Sequence, residues 1–291
     1  MRLPHVQTGA AIPRILHQVY IRDDQPGAPL PEVLQRNVDH LRAENPGWEH
    51  RLYDGPAVER FIAEHYGAEM LDLYRRINPE YAAARADLFR YLAVYLQGGV
   101  YLDLKSRFTR PIDEVIRGDE GFVVSHWRNE WGEVHGGWGV HPEYEGLPVK
   151  EIQQWHVIAA PGHPFLRAVI ERVVKSIRRY NAFSYGVGTY GVLRLTGPIA
   201  YTLTIAPLLD KAPHRRVVNE TEIGLEYSVL DGNNHQNVLV RHYTRNDSPV
   251  VLRSWPGSWV DGTYVAARKF KRALEKRTGV TVSLQNHSRL P

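Results

Sequence analysis

The amino-acid sequence predicts an α/β protein with a mostly parallel sheet flanked by helices, a small antiparallel part and helical insertions. Up to residue 102, apolar segments with the pattern of buried strands alternate with segments of helical period, in the order strand, helix, strand, helix, strand. Such alternation is typical of parallel sheets covered by helices. The long helical segment 80–97 supports the same class, because it ends at Gly98 and Gly99 and a short buried strand follows at once.

The first half of the chain gives the clearest elements. Residues 14–21 (RILHQVYI) have the composition of a buried strand, and a second strand follows the Asn-Pro-Gly turn at 45–47. Segment 80–97 is rich in Ala and Leu, which favour helix. The predicted elements are strands at 14–21, 48–53 and 100–102, and helices at 31–44, 56–66, 68–76 and 80–97.

The second half gives weaker signals. The stretch 126–156 is long and rich in Gly, Trp and His, which indicates an insertion near a site rather than a packed element. Thr196 precedes Gly197 and Pro198 and is expected to cap a helix that begins there. The other predicted elements are strands at 121–126 and 238–242 and helices at 164–180 and 263–277.

Composition excludes several classes of protein. The 291 residues include no cysteine, which rules out a disulfide scaffold, a thiolate zinc site, an iron–sulfur cluster and a Cys nucleophile. The N-terminus lacks the apolar core of a signal peptide, and no apolar run reaches 18 residues. We therefore expect a soluble, cytoplasmic protein.

The formal charge of +4 is concentrated near the C-terminus. Six Lys and Arg residues within 268–277 face a single Glu. A basic helix of this kind can contact nucleic acid, anionic lipid or a phosphorylated ligand, and the alternative is an ordinary solvated face. Nucleic acid is set aside because the charge is local and no binding motif is present. Contact with the inner surface of a membrane stays open.

Three charged residues in the centre of the chain suggest a site. Asp87 and Arg90 are three positions apart and share one face of the predicted helix with apolar neighbours, so partial burial is expected. Such a pair forms either a structural ion pair or part of a polar ligand pocket, and the sequence leaves both open. Asp103 lies where strand 100–102 ends, and ligands of open α/β sheets bind at that edge. Arg85 points to nearly the opposite side of the helix.

The string ARADLFRYLAVYLQGGVYLDLK resembles the central motif of glycosyltransferase family 32, the DXD sugar-binding group. That group includes bacterial capsule and lipopolysaccharide transferases and fungal mannosyltransferases. IPRILHQVYI, NPGWEHRLYD, WHVIAAPGHPFL, TGPIAYT and RSWPGSW resemble further family segments in the same order, over most of residues 12–259. The resemblance implies one GT-A glycosyltransferase domain over 1–291. Within it, 12–105 is the nucleotide-sugar-binding half, 106–262 the acceptor-binding half and 263–291 a basic helix and tail.

The resemblance also implies roles for individual residues. Tyr20 stacks on the nucleobase, the backbone of Val19 reads its edge, and Tyr101 lies beside the nucleoside. Asp87 and Arg90 hold hydroxyls of the donor sugar, and Asp103 contacts the ribose and the sugar. Ser258 and Trp259 belong to a loop that closes over the diphosphate. The complete donor-binding set comprises Val19, Tyr20, Arg85, Asp87, Arg90, Tyr101, Asp103, Ser258 and Trp259.

Lys105 departs from the family pattern, in which this position is an Asp that binds the metal ion. A departing nucleotide diphosphate needs positive charge nearby, which Mn²⁺ or Mg²⁺ commonly supplies. A lysine side chain cannot act as a ligand of such a metal ion. Three interpretations follow. Lys105 pairs with the diphosphate and acts with Asp103 as a catalytic residue; or it points to solvent while Asp103, with His242, holds a metal weakly; or the protein only binds its ligand.

The insertion suggests an acceptor site. Trp127, Trp138 and His156 are the candidates, because aromatic faces stack on sugar rings and His bonds hydroxyls. The alternative is packing and loop hydrogen bonds. The sequence thus predicts transfer of a hexosyl or N-acetylhexosaminyl group from a nucleotide diphosphate sugar, UDP-linked, to a saccharide or other hydroxyl acceptor. The resemblance implies retention of configuration. The rivals are a nucleotide-sugar or polysaccharide binding protein without turnover and a two-carboxylate glycoside hydrolase.

Overall fold

A computed structural model describes residues 3–22, 25, 27–118, 120–230 and 246–278 of the chain. The strand predicted at 238–242, with His242, lies outside these residues. The predicted α/β class is confirmed. The strands and helices of the first half lie where the sequence places them, with boundaries shifted by at most two residues.

The central sheet has six strands in the order β2-β1-β3-β6-β5-β7. All strands run in one direction except β6, which is antiparallel to both of its neighbours. The sheet is therefore mostly parallel, as predicted. The strands are β1 (Ile15–Tyr20), β2 (Glu49–Asp54), β3 (Gly99–Leu102), β5 (Phe122–Val124), β6 (His156–Ala159) and β7 (Arg215–Arg216). A separate antiparallel pair joins β4 (Arg107–Phe108) to β8 (Leu225–Glu226).

The α-helices are α1 (Glu32–Glu44), α2 (Gly55–Tyr66), α3 (Ala68–Arg75), α4 (Ala82–Gln97), α5 (Ile112–Val115), α6 (Pro164–Arg179), α7 (Ala182–Tyr185), α8 (Gly188–Leu195), α9 (Pro198–Ile205) and α10 (Gly257–Thr278). Helix α4 is buried along almost its whole length, since it packs on the sheet and on α6. It therefore carries any polar side chain on its inner face into the core of the protein.

Two local predictions were wrong. Thr196 does not cap α9: Gly197 occupies that position without a side-chain cap, and the Thr196 hydroxyl bonds Asp87 instead. The segment with Ser258 and Trp259 is not a loop, because α10 begins at Gly257, six residues before the predicted start. No proline lies in Ser-Trp-Val-Asp-Gly-Thr to stop the helix, and Pro256 directly precedes its first residue.

Two glycines allow β3 to lie against β1. Gly98 and Gly99 end helix α4 with φ angles of 66° and 98°, a backbone region that favours glycine. A Cβ atom at Gly99 would lie 2.4 Å from the carbonyl oxygen of Ile15. Nearby, His17 Nε2 lies 3.0 Å from the Gly98 carbonyl oxygen, and burial lowers the pKa of His17 to about 4. This close packing fixes where β3 begins beside β1.

The stretch Gly188–Lys211 is long and apolar enough to span a bilayer by length and composition. It comprises α8, α9 and a following 3₁₀ turn, and 67% of its most apolar window is buried inside the protein. Its apolar residues, such as Leu195 and Ile199, therefore contribute to the core.

Candidate active site

Asp103 stands at the carboxyl end of β3, as the sequence predicts. Its backbone N–H donates to the carbonyl oxygen of Trp155 at 2.9 Å, and its own carbonyl accepts from the N–H of Ser106 at 2.8 Å. Asn37, buried in α1, donates to the carbonyls of Leu104 and Ser106, each at 2.9 Å. The turn after β3 is thus fixed from both sides, and the Asp103 side chain, 25% exposed, points out of it.

Arg90 connects helix α4 to Asp103. Its Nη2 lies 3.1 Å from Asp87 Oδ1 and 3.2 Å from Asp103 Oδ1, and its guanidinium lies 4.5 Å from the centre of the Tyr101 ring. Burial acts to lower the pKa of Arg90, but Tyr101, Asp103 and Asp87 together raise it. The guanidinium therefore stays charged, held between two carboxylates. The sequence-predicted Asp87, Arg90, Tyr101 and Asp103 form one cluster.

Asp87 is buried and fully bonded within the protein. Oδ1 accepts from Arg90 and from Gln154 Nε2 at 3.2 Å, and Oδ2 accepts from the Thr196 hydroxyl at 2.8 Å. Burial raises the pKa of Asp87, while Arg90 and these hydrogen bonds oppose the rise. The geometry makes Asp87 the partner that holds Arg90 in place, and its contact with a donor sugar stays a prediction.

Lys105 does not point to solvent. Its Nζ donates to the hydroxyl of Tyr227 at 2.5 Å and lies 3.8 Å from the centre of the same ring. Burial lowers the pKa of Lys105 to about 8, although Asp103 nearby acts to raise it. The version of the metal hypothesis in which Lys105 turns outward is therefore wrong: the ammonium stays beside Asp103 because the phenol ring and hydroxyl hold it there.

Tyr227 also joins Lys105 to the aromatic insertion. Its ring centre lies 5.1 Å from that of Trp127, 5.6 Å from that of Trp138 and 5.5 Å from that of Trp155. Trp127 and Trp138 contact each other edge to face at 5.4 Å. The two predicted acceptor tryptophans thus contact the same Tyr227 ring that Lys105 contacts. Packing accounts for part of this cluster, and acceptor binding by Trp127 and Trp138 stays a prediction.

His156, the third predicted acceptor residue, is buried at the start of β6. Its Nε2 lies 2.9 Å from the hydroxyl of Ser125, and burial lowers its pKa to about 3, with Arg90 acting in the same direction. The imidazole is therefore neutral and has no exposed edge in this structure. Its role in acceptor binding stays a prediction.

The other predicted donor residues lie on β1, on the opposite side of α4 and at the start of α10. Val19 is buried in β1, and half-buried Tyr20 at the end of β1 packs against the cluster that contains Leu34 and Leu104. Arg85 donates to the carbonyl of Ile77 and covers the Tyr74 ring, on the other side of α4. Ser258 and Trp259 are exposed in the first turn of α10. Their roles stay predictions.

The residues described around Asp103 do not fit a divalent metal. Between residues 3 and 278, outside the undescribed gaps, no group of three or more His, Asp and Glu side chains is placed to hold an ion. Among the described residues, two cations, Arg90 and Lys105, lie next to Asp103 and oppose a divalent ion there. Both oxygens of Asp87 are bonded by Arg90, Gln154 and Thr196, which leaves Asp103 as the carboxylate of the described cluster with a free oxygen, and we derive no step through a metal. His242 lies outside the described residues.

Sequence reasoning missed three residues of the cluster. Gln154 bonds both Arg90 and Asp87, Thr196 bonds Asp87, and Tyr227 holds Lys105. Each lies 64 to 122 positions along the chain from the residue that it bonds, on a segment whose sequence resembles an ordinary loop or cap. Only the order of β6 next to β3 in the sheet, which brings Gln154 and Trp155 to Asp103, could have indicated Gln154.

Part of the chain matches a known family of proteins. Residues 31–122 match the family model described as "Glycosyltransferase sugar-binding region containing DXD motif". The matched region includes Asp87, Arg90, Asp103 and Lys105, and it supports the resemblance drawn from the sequence over about a third of the chain.

Curated relatives include two fungal mannosyltransferases. The chain is 29% identical over 136 residues to an "Initiation-specific alpha-1,6-mannosyltransferase" of Candida albicans, covering 45% of this chain and 34% of that protein. It is 27% identical over 172 residues to "Inositol phosphoceramide mannosyltransferase 1" of Schizosaccharomyces pombe, covering 58% and 45%. The chain therefore spans less than half the length of these relatives.

Similar solved structures include two glycosyltransferase domains. "PaToxG Glycosyltransferase" matches with a TM-score of 0.47 and 14% identity, over 82% of this chain and 81% of that one. The UDP-bound glycosyltransferase domain of the YGT toxin matches with a TM-score of 0.49 and 10% identity, over 72% and 80%.

Proposed function

We propose that this protein is a GT-A glycosyltransferase that transfers a hexosyl group from a nucleotide diphosphate sugar to a hydroxyl acceptor. The observation that carries the proposal is the Arg90 cluster, which ends in a partly exposed carboxylate at the carboxyl edge of the sheet. The match of residues 31–122 to a sugar-binding glycosyltransferase region supports it, since that region contains this cluster.

Asp103 is the group we assign to the donor. Both of its described side-chain partners, Arg90 and the Tyr101 hydroxyl at 3.0 Å, bind Oδ1. Oδ2 is then the oxygen that accepts a hydroxyl of the ribose or of the sugar. Burial keeps the pKa of Tyr101 well above its usual range, so its hydroxyl remains a donor that orients the carboxylate. A rigid carboxylate binds a hydroxyl at little further entropic cost.

Two buried donors near Asp103 favour a ligand site. Arg90 Nε and Trp155 Nε1 have no hydrogen-bond partner within the described part of the chain. A buried N–H group without a partner costs roughly 1–3 kcal/mol and is uncommon in folded proteins outside functional sites. Oxygen atoms of a bound nucleotide sugar would satisfy such donors after small side-chain movements.

Lys105 is the group we assign to the leaving diphosphate. The described partners of its ammonium are a neutral hydroxyl and an aromatic ring, so no salt bridge within them neutralises its charge. Negative charge grows on the diphosphate as the sugar departs, and a fixed cation stabilises that charge. Lys105 would exchange the Tyr227 hydroxyl for a phosphate oxygen when the donor binds.

The acceptor hydroxyl attacks from the side of the aromatic insertion in this proposal. In this proposal Asp103 is already hydrogen-bonded to the donor, so it is not free to act as the base. No other side chain in the described part of the cluster is placed to act as a nucleophile. We therefore propose displacement on the front face, with retention of configuration, in which a leaving phosphate oxygen takes the acceptor proton. The C–O bond to the diphosphate breaks as the bond to the acceptor oxygen forms.

The names of the relatives limit which donor sugars should be tested first. Their names specify mannosyl transfer, which favours a hexosyl donor and places mannose first among the sugars to test. Uridine remains the nucleotide we propose from the sequence, with Tyr20 stacking on its base. The acceptor is a saccharide or another hydroxyl compound.

A thermal-shift screen tests the proposal. Uridine and guanosine diphosphate sugars are compared with the free nucleotides, with EDTA or with Mn²⁺. A ligand at 100 times its Kd adds about 2.7 kcal/mol to the free energy of unfolding, which gives a readable shift in Tm. Asp103→Asn should abolish donor hydrolysis and transfer while the protein still folds, because the amide oxygen can still accept from Arg90 and from the Tyr101 hydroxyl although the charge is lost. Normal turnover by that variant would place the site elsewhere.

Lys105 supports a second candidate, a nucleotide-sugar binding protein without turnover. The cation replaces the metal-binding Asp of the family pattern and is engaged by Tyr227. Tight donor binding in the screen, with no donor hydrolysis at any metal concentration, would favour this candidate over the transferase.

A further inference from the structure

Helix α10 presents one face to the protein and leaves the other uncovered. On the inner face, buried Asp261 accepts from the N–H of Ala182 at 2.8 Å and pairs with Arg253 at 2.9 Å. Tyr264, on the next turn, packs edge to face on Phe183 with ring centres 4.9 Å apart. These contacts fix the first half of α10 against α7.

The outer face carries large apolar side chains that nothing in the described structure covers. Trp259 is 68% exposed and Phe270 is 70% exposed, and Trp255, just before the helix, is 80% exposed. At about 100° per residue, the positions near Trp259 fall within a sector roughly 100° wide, opposite Asp261. That sector comprises the exposed residues Trp259, Thr263, Ala266, Phe270, Ala273, Leu274 and Arg277. We call these residues, with Trp255, the outer face of α10.

Strong positive charge accompanies the outer face. The residues of α10 include six Lys and Arg and two acidic residues, and one of the acids, Asp261, is buried in the ion pair with Arg253. Some of the positive charge is compensated, since Arg272 pairs with Asp247 and Lys271 with Glu275. Lys269 and Arg277 are exposed beside and within the outer face. A partner for this surface must accept both apolar side chains and cations.

The spacing of the outer face argues against a second helix as its partner. Positions 259, 263, 266, 270, 273 and 277 follow the alternation of three and four that a coiled coil requires. They are occupied by Trp, Thr, Ala, Phe, Ala and Arg, so only two of the six side chains are large and apolar. A coiled coil needs large apolar residues at most of these positions. Isolated Trp and Phe anchors with flanking Lys and Arg are typical of helices that lie in a membrane interface.

We propose that α10 docks this protein on an anionic lipid surface. The helix lies parallel to the bilayer plane, Trp255, Trp259 and Phe270 enter the boundary between headgroups and acyl chains, and Lys269 and Arg277 contact anionic headgroups. The inner face remains packed on α7, so docking needs no unfolding of the rest of the protein.

Co-sedimentation with vesicles tests this surface and does not depend on any transferase activity. The full 291-residue chain is mixed with vesicles of phosphatidylcholine alone or of phosphatidylcholine with phosphatidylserine. We expect binding to the vesicles that contain phosphatidylserine and a decrease as salt is added, because the charge contribution is screened. Equal binding to both vesicle types would overturn the proposal, and so would the absence of binding to either.

Matched variants locate the surface. The double variant W259A/F270A should partition into phosphatidylserine vesicles more than about tenfold more weakly, since each ring buries a large apolar area. W131A is the control, because Trp131 is 101% exposed in the insertion and lies outside the outer face. Both variants should keep the wild-type Tm, since neither removes a buried contact. Equal loss in the two variants would refute the assignment to α10. A wild-type dimer in sedimentation equilibrium that W259A/F270A converts to monomer would show instead that a second copy covers this face.

Discussion

The pH dependence of kcat/KM tests the role of Lys105 in the proposed transfer. That parameter reports groups of the free enzyme, the state in which Tyr227 holds the ammonium and burial lowers its pKa to about 8. The protonated form supplies the positive charge. Activity should therefore be present below pH 8 and should be lost as the pH rises through that value.

The structure gives the size of the effect. With a pKa of about 8, roughly three quarters of Lys105 is charged at pH 7.5 and about one tenth at pH 9, so kcat/KM should fall about eightfold between them. The neighbouring groups do not titrate in this range. Burial raises the pKa of Tyr101 and of Tyr227, and it lowers the pKa of His156 to about 3.

Two variants serve as controls, with transfer measured in EDTA. Lys105→Arg keeps the charge at every pH used, so its kcat/KM should not fall between pH 7.5 and 9. Lys105→Met removes the charge and should lose about 3 kcal/mol of transition-state stabilisation, the scale of one oxyanion donor. A fall at high pH that persists in Lys105→Arg would refute the reasoning. Complete loss of wild-type activity in EDTA, recovered by Mn²⁺, would show that a metal supplies the charge.

Three further outcomes follow from buried contacts. Asp87→Ala leaves the Arg90 guanidinium buried with one carboxylate fewer and should lower the free energy of unfolding by about 3–5 kcal/mol, measured in urea; an unchanged midpoint would contradict the ion pair. Tyr20→Ala should weaken the binding of every uridine nucleotide, measured by calorimetry, by roughly 1–3 kcal/mol, while Tyr20→Phe keeps the stack and the affinity. A Tyr20→Ala variant that binds as tightly as Tyr20→Phe would make Tyr20 a packing residue only. Because the folded-state pKa of Lys105 is lowered, its charge destabilises the fold below about pH 8, and that cost disappears as the pH rises from 8 to 10.5. Lys105→Met should accordingly raise the free energy of unfolding at pH 7 by up to about 3 kcal/mol and leave it nearly unchanged at pH 10.5; no gain at pH 7 would contradict the burial of the ammonium.

Local sequence determines most of what could be predicted about the fold. The strand at β1 and helix α4 follow from apolar composition, helix propensity and the Gly98-Gly99 stop, which act within a few residues. Thr196 was misjudged because a threonine before Gly-Pro has the pattern of an N-cap, whereas a carboxylate 109 positions away takes its hydroxyl. The start of α10 was misjudged because the Trp- and Gly-containing segment resembles a loop.

The site residues that could be predicted are likewise those whose positions depend on local sequence. Asp87 and Arg90 could be placed together because a helix sets their spacing, and Asp103 because a strand ends before it. Gln154 and Tyr227 reach the cluster from distant segments, so no local pattern identifies them. The sequence left open whether Asp87 and Arg90 form a structural pair or a ligand pocket, and the geometry joins the two alternatives: Asp87 holds Arg90, which in turn holds Asp103. The cytoplasmic location expected from composition stays a prediction.

The antiparallel direction of β6 has a consequence for how this protein can change. Residues 127–151 leave the sheet and return to it at a bridge between His126 and Ile152, and Gln153 N–H bonds the carbonyl of Ser125 at 3.0 Å. The insertion is therefore clamped at its base, next to Asp103 but without contributing to the turn that holds it. Doubling the length of a loop costs only about 0.6 kcal/mol in closure entropy. Insertions of other lengths and sequences could be exchanged at this clamp, so that in the proposed transferase acceptor preference would diverge by loop replacement while Asp87, Arg90 and Asp103 stay unchanged.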